Sequence, residues 1–352
     1  MTWKRLDPRP WLTLTLIAAG CGGARPEPPT AAARPVVRVG WQTTWATQGQ
    51  LAVILQRTNA LELAGLEGRF VGFTYGGPLN EGALAGAVDV VLTADQPALT
   101  LGARAPHWRI VGRLMSNRVG VMVPPGSRAA SPADLRGGTL AVPFGAAAQR
   151  EALAALQRAG LDPARDVKLV NLGIQELVAL VTAGAQGGRW GEIDAVAAWD
   201  PPFAELTTRG LARPLADAVV TSVVLMDTRF RDAHPGADAR LLDALRLAYD
   251  FYRRDPARAD AWFDAASGLD FSPGVLTLAA SVEENLRVSD PSAIRVVLNT
   301  DDLAALQRAA DFMAANRMLP APVKVETLVQ AATPSPGLPF AAVNERPASG
   351  AP

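Results

Sequence analysis

Few side chains in this 352-residue sequence are equipped for covalent or proton-transfer chemistry. There is one cysteine, Cys21, and the two histidines, His107 and His234, stand far apart and away from metal-ligand spacing. One thiol excludes an internal disulfide, a thiolate zinc site and an iron–sulfur cluster. Catalytic triads and metal sites lack their residues, and no phosphate-cradling Walker loop is present, so any ATPase is a separate chain. No metal and no cofactor is expected. The 34 Lys and Arg balance 34 Asp and Glu, which gives no electrostatic footprint for nucleic acid. With 49% hydrophobic and 19% charged residues, the composition is globular and the length suits two domains. Non-covalent binding remains, carried by aromatic walls, amide donors and hydroxyls.

Those groups gather at the ends of short apolar runs. Val36 to Gly40 reads as a buried strand, with a helix from Gln50 to Leu63 behind it. Arg69 to Phe73 and Asp89 to Leu92 read as strands around a helix at Asn80 to Ala87. The order repeats with strands at Thr139 to Pro143, Val167 to Val170 and Ala195 to Ala198, and helices at Ala146 to Ala159 and Ile174 to Ala183. Strand–helix alternation with glycine-rich connections predicts an α/β fold of two lobes, each a mostly parallel sheet flanked by helices. Beyond Ser222 to Met226 the chain becomes mainly helical, closing with a helix from Asp301 to Asn316. In open α/β sheets ligands sit beyond the carboxyl ends of strands, beside helix amino termini. That rule selects Trp41, Gln42 and Thr43 after the first strand, Tyr75, Gly76 and Gly77 after the second, and Asp95 after the third. In the second unit it selects Gly145, Ala146, Ala147, Trp199 and Asp200.

Each of these has a plainer reading. Trp41, Trp45 and Tyr75 are the right residues for core packing, although aromatic side chains clustered after successive strands suit a pocket wall. Asp95 and Asp200 can cap the turns that follow them, and as two carboxylates beside one cleft they would repel a dianion. Gly145 and the alanines can simply allow a tight turn and a good helix start. Together the set reads as an aromatic rather than ionic pocket, favouring an organic ligand over nitrate.

Lys4, Arg5 and Arg9 precede an apolar run, Trp11 to Ala19, too short to span a bilayer. A basic start, a short apolar centre and small residues before a cut describe a signal peptide over residues 1–20. Ala18-Ala19-Gly20-Cys21 resembles the lipobox of bacterial lipoproteins, in which Cys21 would be acylated; an ordinary secretory signal is the alternative. Cleavage removes three basic residues and one acid, leaving 31 basic and 33 acidic residues and a net charge of −2. Residues 21–35 read as a flexible Pro/Ala/Gly tether, and 331–352 as a disordered tail.

Several segments, in order, resemble the solute-binding proteins of bacterial ABC importers, in the sulfonate/taurine/nitrate family. They are VRVGWQ (37–42), FTYGGPLNEGALAGAVDVVLTADQPAL (73–99), VPPGSRAASPADLRGGTLAVPFG (123–145), AGLDPARDVKLVNL (159–172), GEIDAVAAWDPPFAEL (191–206) and DLAALQRAADFMAANRML (302–319). The resemblance implies a type II periplasmic-binding-protein fold, with lobe 1 at 36–120 plus 222–330 and lobe 2 at 121–221, joined by two crossover strands. It implies a monomeric, lipid-anchored receptor on the periplasmic face of a membrane, binding a small organic solute and delivering it to an ABC permease with a separate ATPase. It implies ligand contact through the amides of the 144–149 loop, where the family often adds a Ser or Thr hydroxyl and this chain has Ala146, Ala147 and Ala148. A sensor or scaffold lipoprotein with a degenerate pocket is a second reading. A thiamin-pyrimidine-precursor enzyme on the same fold is a third, but it requires a reactive histidine and a cysteine-rich iron site that this chain lacks.

Overall fold

The computed structural model describes residues 33–184, 189–334 and 343–346. The chain divides into two units, Met1–Ala33 and Arg34–Pro352; of the first, only Ala33 is described. The expected signal peptide, Cys21 and most of the tether lie outside the described residues. No helix among the described residues is long and apolar enough to cross a membrane.

Eight strands form one continuous sheet: β1 (Val36–Gln42), β2 (Glu67–Phe73), β3 (Val90–Ala94), β4 (Trp108–Val123), β5 (Thr139–Val142), β6 (Lys168–Asn171), β7 (Ala195–Trp199) and β8 (Arg213–Asp227). The order across it is β2-β1-β3-β8-β4-β7-β5-β6. The outer wings, β2-β1-β3 and β7-β5-β6, are each internally parallel. Between them β4 and β8 pair antiparallel along their whole length, from Trp108 opposite Asp227 to Val123 opposite Arg213. β3 joins β8 through Val90 to Ala94 and β7 joins β4 through Val119 to Met122, both antiparallel. The two parallel units expected from sequence are therefore wings of a single sheet.

Helices cover both faces: α1 (Gln48–Arg57), α2 (Ala60–Leu63), α3 (Gly76–Leu84), α4 (Asp95–Arg104), α5 (Ala147–Arg158), α6 (Ile174–Gly184) and α7 (Pro202–Thr208) accompany the strands. Then come α8 (Thr228–Ala233), α9 (Ala237–Arg254), α10 (Pro256–Ser267), α11 (Val275–Ala280), α12 (Thr300–Ala315) and α13 (Val325–Leu328). Strand alternation divides the core. Val37, Val39 and Trp41 of β1 pack with α1, α9 and α10 through Leu51, Ile54, Leu241, Leu245 and Phe263. Val91 and Ile110 pack on the other face with Leu79, Leu99, Leu306 and Met313 of α3, α4 and α12.

The predicted helix over 50–63 is two helices. Thr58 is extended (φ −123°, ψ 169°) and its hydroxyl bonds back to the Ile54 carbonyl, ending α1. The break is held by residues 343–346, which the sequence reading left in a disordered tail. Asn59 and Asn344 exchange hydrogen bonds, and the Arg346 amide donates to the Arg57 carbonyl. α3 begins at Gly76, four residues before the expected start, because Pro78 is tolerated in a first turn that needs no donor there. α12 is capped one residue earlier than expected. The Asn299 side chain accepts from the Asp302 amide and the Asp302 carboxylate accepts from the Asn299 amide, a reciprocal box.

A buried ion pair fastens the helical carboxyl-terminal segment to β4. Arg113 reaches both oxygens of Glu283 at 3.0 and 2.9 Å, and Glu283 also accepts from the Ser116 amide. Close packing does the rest. A Cβ on Gly49 of α1 would lie 2.0 Å from the Phe263 ring of α10, so the two helices meet only because that side chain is missing. Gly49→Ala is expected to lower unfolding stability by about 1–3 kcal/mol, as overpacking does. Phe263→Leu in the same chain is expected to recover part of the loss. Urea titration of the three variants measures both.

Candidate ligand-binding site at the switch point of the sheet

Where the wings meet β4 and β8, the carboxyl ends of β1, β3 and β7 converge on an enclosed cavity. Its lining includes Gln42, Trp45, Gly76, Ala94, Pro97, Asn117, Ala146, Ala147 and Trp199. Three helices begin at its wall: α3 at Gly76, α4 just after Ala94, and α5 at Ala147. Their cap residues, Tyr75, Ala94 and Ala146, make no side-chain cap hydrogen bond. First-turn amides have no acceptor within their own helix, and aligned peptide dipoles make that end positive. Three such ends around one cavity form a setting for a negative or strongly polar group without a cationic side chain in its lining.

The rest of the lining is aromatic and amide. The Trp199 indole N–H donates to the Thr44 carbonyl at 3.0 Å, bridging β7 to the loop after β1. Tyr75 stands against Trp199 with ring centroids 6.3 Å apart. The Trp45 indole N–H is buried and has no acceptor among the described residues. Gln42 donates to the Leu92 carbonyl at 3.3 Å, and the Asn117 carbonyl oxygen accepts from the Ser222 hydroxyl at 3.1 Å. The cavity measures about 10 Å³, room for a single water at most. An organic solute enters only if the wings part or the tryptophans turn.

The residues selected from sequence separate into groups. Gln42, Gly76, Ala146, Ala147 and Trp199 line the cavity. Gly77 and Gly145 lie beside it, where α3 and the 144–146 loop approach so closely that a Cβ on Gly145 would lie 3.6 Å from the Gly77 Cα. Tyr75 adds to the outer rim, beside Gly173 to Glu176. Trp41 does not face the cavity: alternation along β1 turns it into the core beside Gly72, its pairing partner on β2. Thr43 extends the β1–β2 pairing, its amide donating to the Phe73 carbonyl at 2.8 Å.

Asp95 and Asp200 also depart from a ligand-facing role. The Asp95 carboxylate pairs with Arg150 of α5 at 2.7 Å and accepts from the Gln96 amide. Burial pushes its carboxyl up while Arg150 pulls it down, and the upward push wins. The Asp200 carboxylate accepts from the Ala204 amide at 3.1 Å, in the first turn of α7, and pairs with Arg118 at 2.8 Å. Both acids are committed to protein partners, which removes the repulsion that two free carboxylates would direct at an anion. Trp45, read from sequence as a core residue or a pocket wall, joins the lining, and Pro97 and Asn117 join it without having been selected. A pair of glutamines links the two helices beside it. Gln96 of α4 donates to Gln149 of α5 at 3.1 Å and accepts from the Arg150 amide, while Gln149 accepts from the Gly145 amide. Gln96 falls within the loop after the third strand that the strand-end rule marks. Gln149 carried no such signal, since a polar residue in an amphipathic helix reads as solvent-facing.

A sheet with parallel wings joined by two long crossing strands, and a site of helix amino termini at the switch point, defines the periplasmic-binding-protein class of fold. The family model described as NMT1/THI5-like matches residues 80–259, just over half of the sequence, and the chain belongs to that family. Among solved structures, the alkanesulfonate-binding protein SsuA from Xanthomonas axonopodis pv. citri, bound to MOPS, is 26% identical with a TM-score of 0.70, covering 86% of this chain and all of its own. The periplasmic aliphatic sulphonate-binding protein SsuA from Escherichia coli is 21% identical with a TM-score of 0.67, over 86% of this chain and 94% of its own. The desulfurization enzyme DszB shares the fold at 20% identity and a TM-score of 0.60, over 85% of this chain and 97% of its own. No curated protein matches the chain.

Burial pushes the Asp200 carboxyl up to about 6 against the lowering pull of Arg118. A carboxyl that titrates higher folded than unfolded keeps its proton longer in the native state. Ionising it therefore costs native stability as pH rises from about 4 to about 6. Over that interval the wild type is expected to lose melting temperature relative to Asp200→Asn, the two curves running parallel above it. Melts followed by circular dichroism check this; a constant difference from acid to neutral pH is the contrary result.

Proposed function

We propose that the chain is a lipid-anchored solute-binding receptor that takes a small organic solute of sulfonate, taurine or aromatic type between two lobes and delivers it to an ABC permease. The observation that carries the reading is the meeting at strand ends of three helix amino termini whose cap residues make no side-chain hydrogen bond, walled by Trp45 and Trp199. Amides and dipoles suit an anionic head, and the indoles suit an apolar or planar body. That the Xanthomonas relative is an alkanesulfonate-binding protein bound to MOPS supports the same class.

In this reading lobe 1 (36–120 plus 222–330) carries β1, β2, β3 and most carboxyl-terminal helices, and lobe 2 (121–221) carries β5, β6 and β7. Opening bends β4 and β8 where Asn117 faces Val220 and Met115 faces Ser222. The Trp199–Thr44, Gln96–Gln149 and Asp95–Arg150 contacts then act as closure contacts, remade around the solute. Closure is what the permease reads. Exported and acylated at Cys21, the receptor works at the periplasmic face of the membrane and performs no bond-making of its own. The narrowness of the cavity and the missing hydroxyls at Ala146 to Ala148 favour one rival, a sensor or scaffold lipoprotein whose pocket no longer takes a solute.

A thermal-shift screen against MOPS, alkanesulfonates, taurine, nitrate, aromatic carboxylates and pyrimidines separates the two. The largest rise is expected with an organic anion; ligand at a hundred times Kd adds about 2.7 kcal/mol. A rise with nitrate alone would overturn the aromatic-wall reading, and no rise with any compound would favour the scaffold. Trp199→Ala is expected to weaken the best ligand by more than tenfold, about 1.4 kcal/mol, and unchanged affinity would return Trp199 to a packing role.

A further inference from the structure

A second, larger cavity of about 280 Å³ lies on the far side of the Asp95–Arg150 ion pair. One wall is the face of α5 that carries Arg150, Ala154 and Arg158, four residues apart. The facing wall is the stripe of α12 made by Ala305, Arg308 and Phe312, at helical spacing. Val219 to Thr221 of β8 form the floor, and Val219 is 55% exposed. Here an apolar surface is flanked by guanidinium groups, and the cavity shares with the proposed solute site only the starts of α4 and α5.

The donor inventory decides what such a cavity can take. Arg150 spends Nη2 on Asp95 and Nη1 on Glu151, and its Nε is buried with no partner among the described residues. Arg150 itself is 8% exposed, so that N–H is closed to water and to a ligand alike, and Arg150 contributes charge to the cavity rather than a free donor. Arg158 gives one N–H to Glu151 and keeps the rest of its fork. Arg308 makes no ion pair or hydrogen bond among the described residues. Three guanidinium groups against the carboxylates of Asp95 and Glu151 leave one positive charge in surplus. The two valines of the floor and the Phe312 ring add apolar surface that an inorganic ion would leave uncovered.

We infer that this cavity is a second ligand site, for a small organic monocarboxylate whose head group meets Arg158 and Arg308 while its body rests on Phe312 and Val219. The cavity lies between α5 and α12, which the proposed lobes carry on opposite sides, so it would widen with the cleft, but its head-group donors are not those of the cleft.

Calorimetric titration of benzoate into the folded Trp199→Ala protein, in which the cleft wall is removed, tests it. Saturable binding at one site is expected, with the uncharged isostere benzamide failing to bind. Arg158→Gln together with Arg308→Gln, both at exposed positions that leave the core untouched, is expected to weaken benzoate at least tenfold with an unchanged circular dichroism spectrum. The inference is overturned if benzoate does not saturate, if benzamide binds equally, if the arginine substitutions leave affinity unchanged, or if inorganic phosphate binds in place of benzoate. Loss of benzoate binding through Trp199→Ala alone would place it in the cleft, overturning this site and supporting the other.

Discussion

The antiparallel ladder of β4 and β8 is the constraint on which the rest of the structure depends. Among the described residues, two strands of 16 and 15 residues alone link the two wings of the sheet. Everything that meets at the site is delivered to it from one side or the other of this pair. Ladder hydrogen bonds resist shear along the strands but permit twist about them, so the pair fixes the wings in register while leaving their mutual angle adjustable. The polar pairing of Asn117 with Ser222 falls in the middle of this ladder, a place where purely apolar residues would have been easier to bury.

Around that axis, charges are buried in pairs and the site is left uncharged. Arg113–Glu283, Arg118–Asp200 and Arg150–Asp95 each join segments distant in sequence. Pairs of this kind contribute little net stability relative to apolar residues of the same shape, but losing one partner strands a charge and is costly. They therefore act as register marks, tying a segment to one position. The cavity between them has helix ends and indoles in its wall, and so offers polarity through fixed amides whose orientation the fold has already set. Fixed amides of this kind lower the ordering cost of binding a polar head, although the narrow cavity must first open to admit one.

The element pattern was legible in the sequence wherever local physics decides it. Gly160 ends α5 with φ of +78°, as a helix-stopping glycine should, and the β-branched runs became strands. Reading failed where a distant segment intervened. Nothing local in Gln50 to Leu63 announces a break, because the partner that stabilises it, Asn344, lies 285 positions away. Trp41 and Gln42 are neighbours at a strand end, and only the sheet's facing decides which of them meets the cavity. Asp95 and Asp200 were visible as chemistry, yet their occupation by Arg150 and Arg118 could not be seen from composition.

Sequence alone determined that this is an α/β chain with one cysteine, two widely separated histidines and no Walker loop, with its candidate contacts at strand ends. Those properties follow from residue type and from periods of about two and 3.6 residues, which a linear text displays. Tertiary structure decided that the two α/β units share one sheet, that both acids are spent on arginines, and that a narrow cavity and a broader one lie on opposite sides of an ion pair. Such outcomes depend on which distant side chains come within hydrogen-bond reach, a quantity fixed by packing in three dimensions and not written in any local window of the chain.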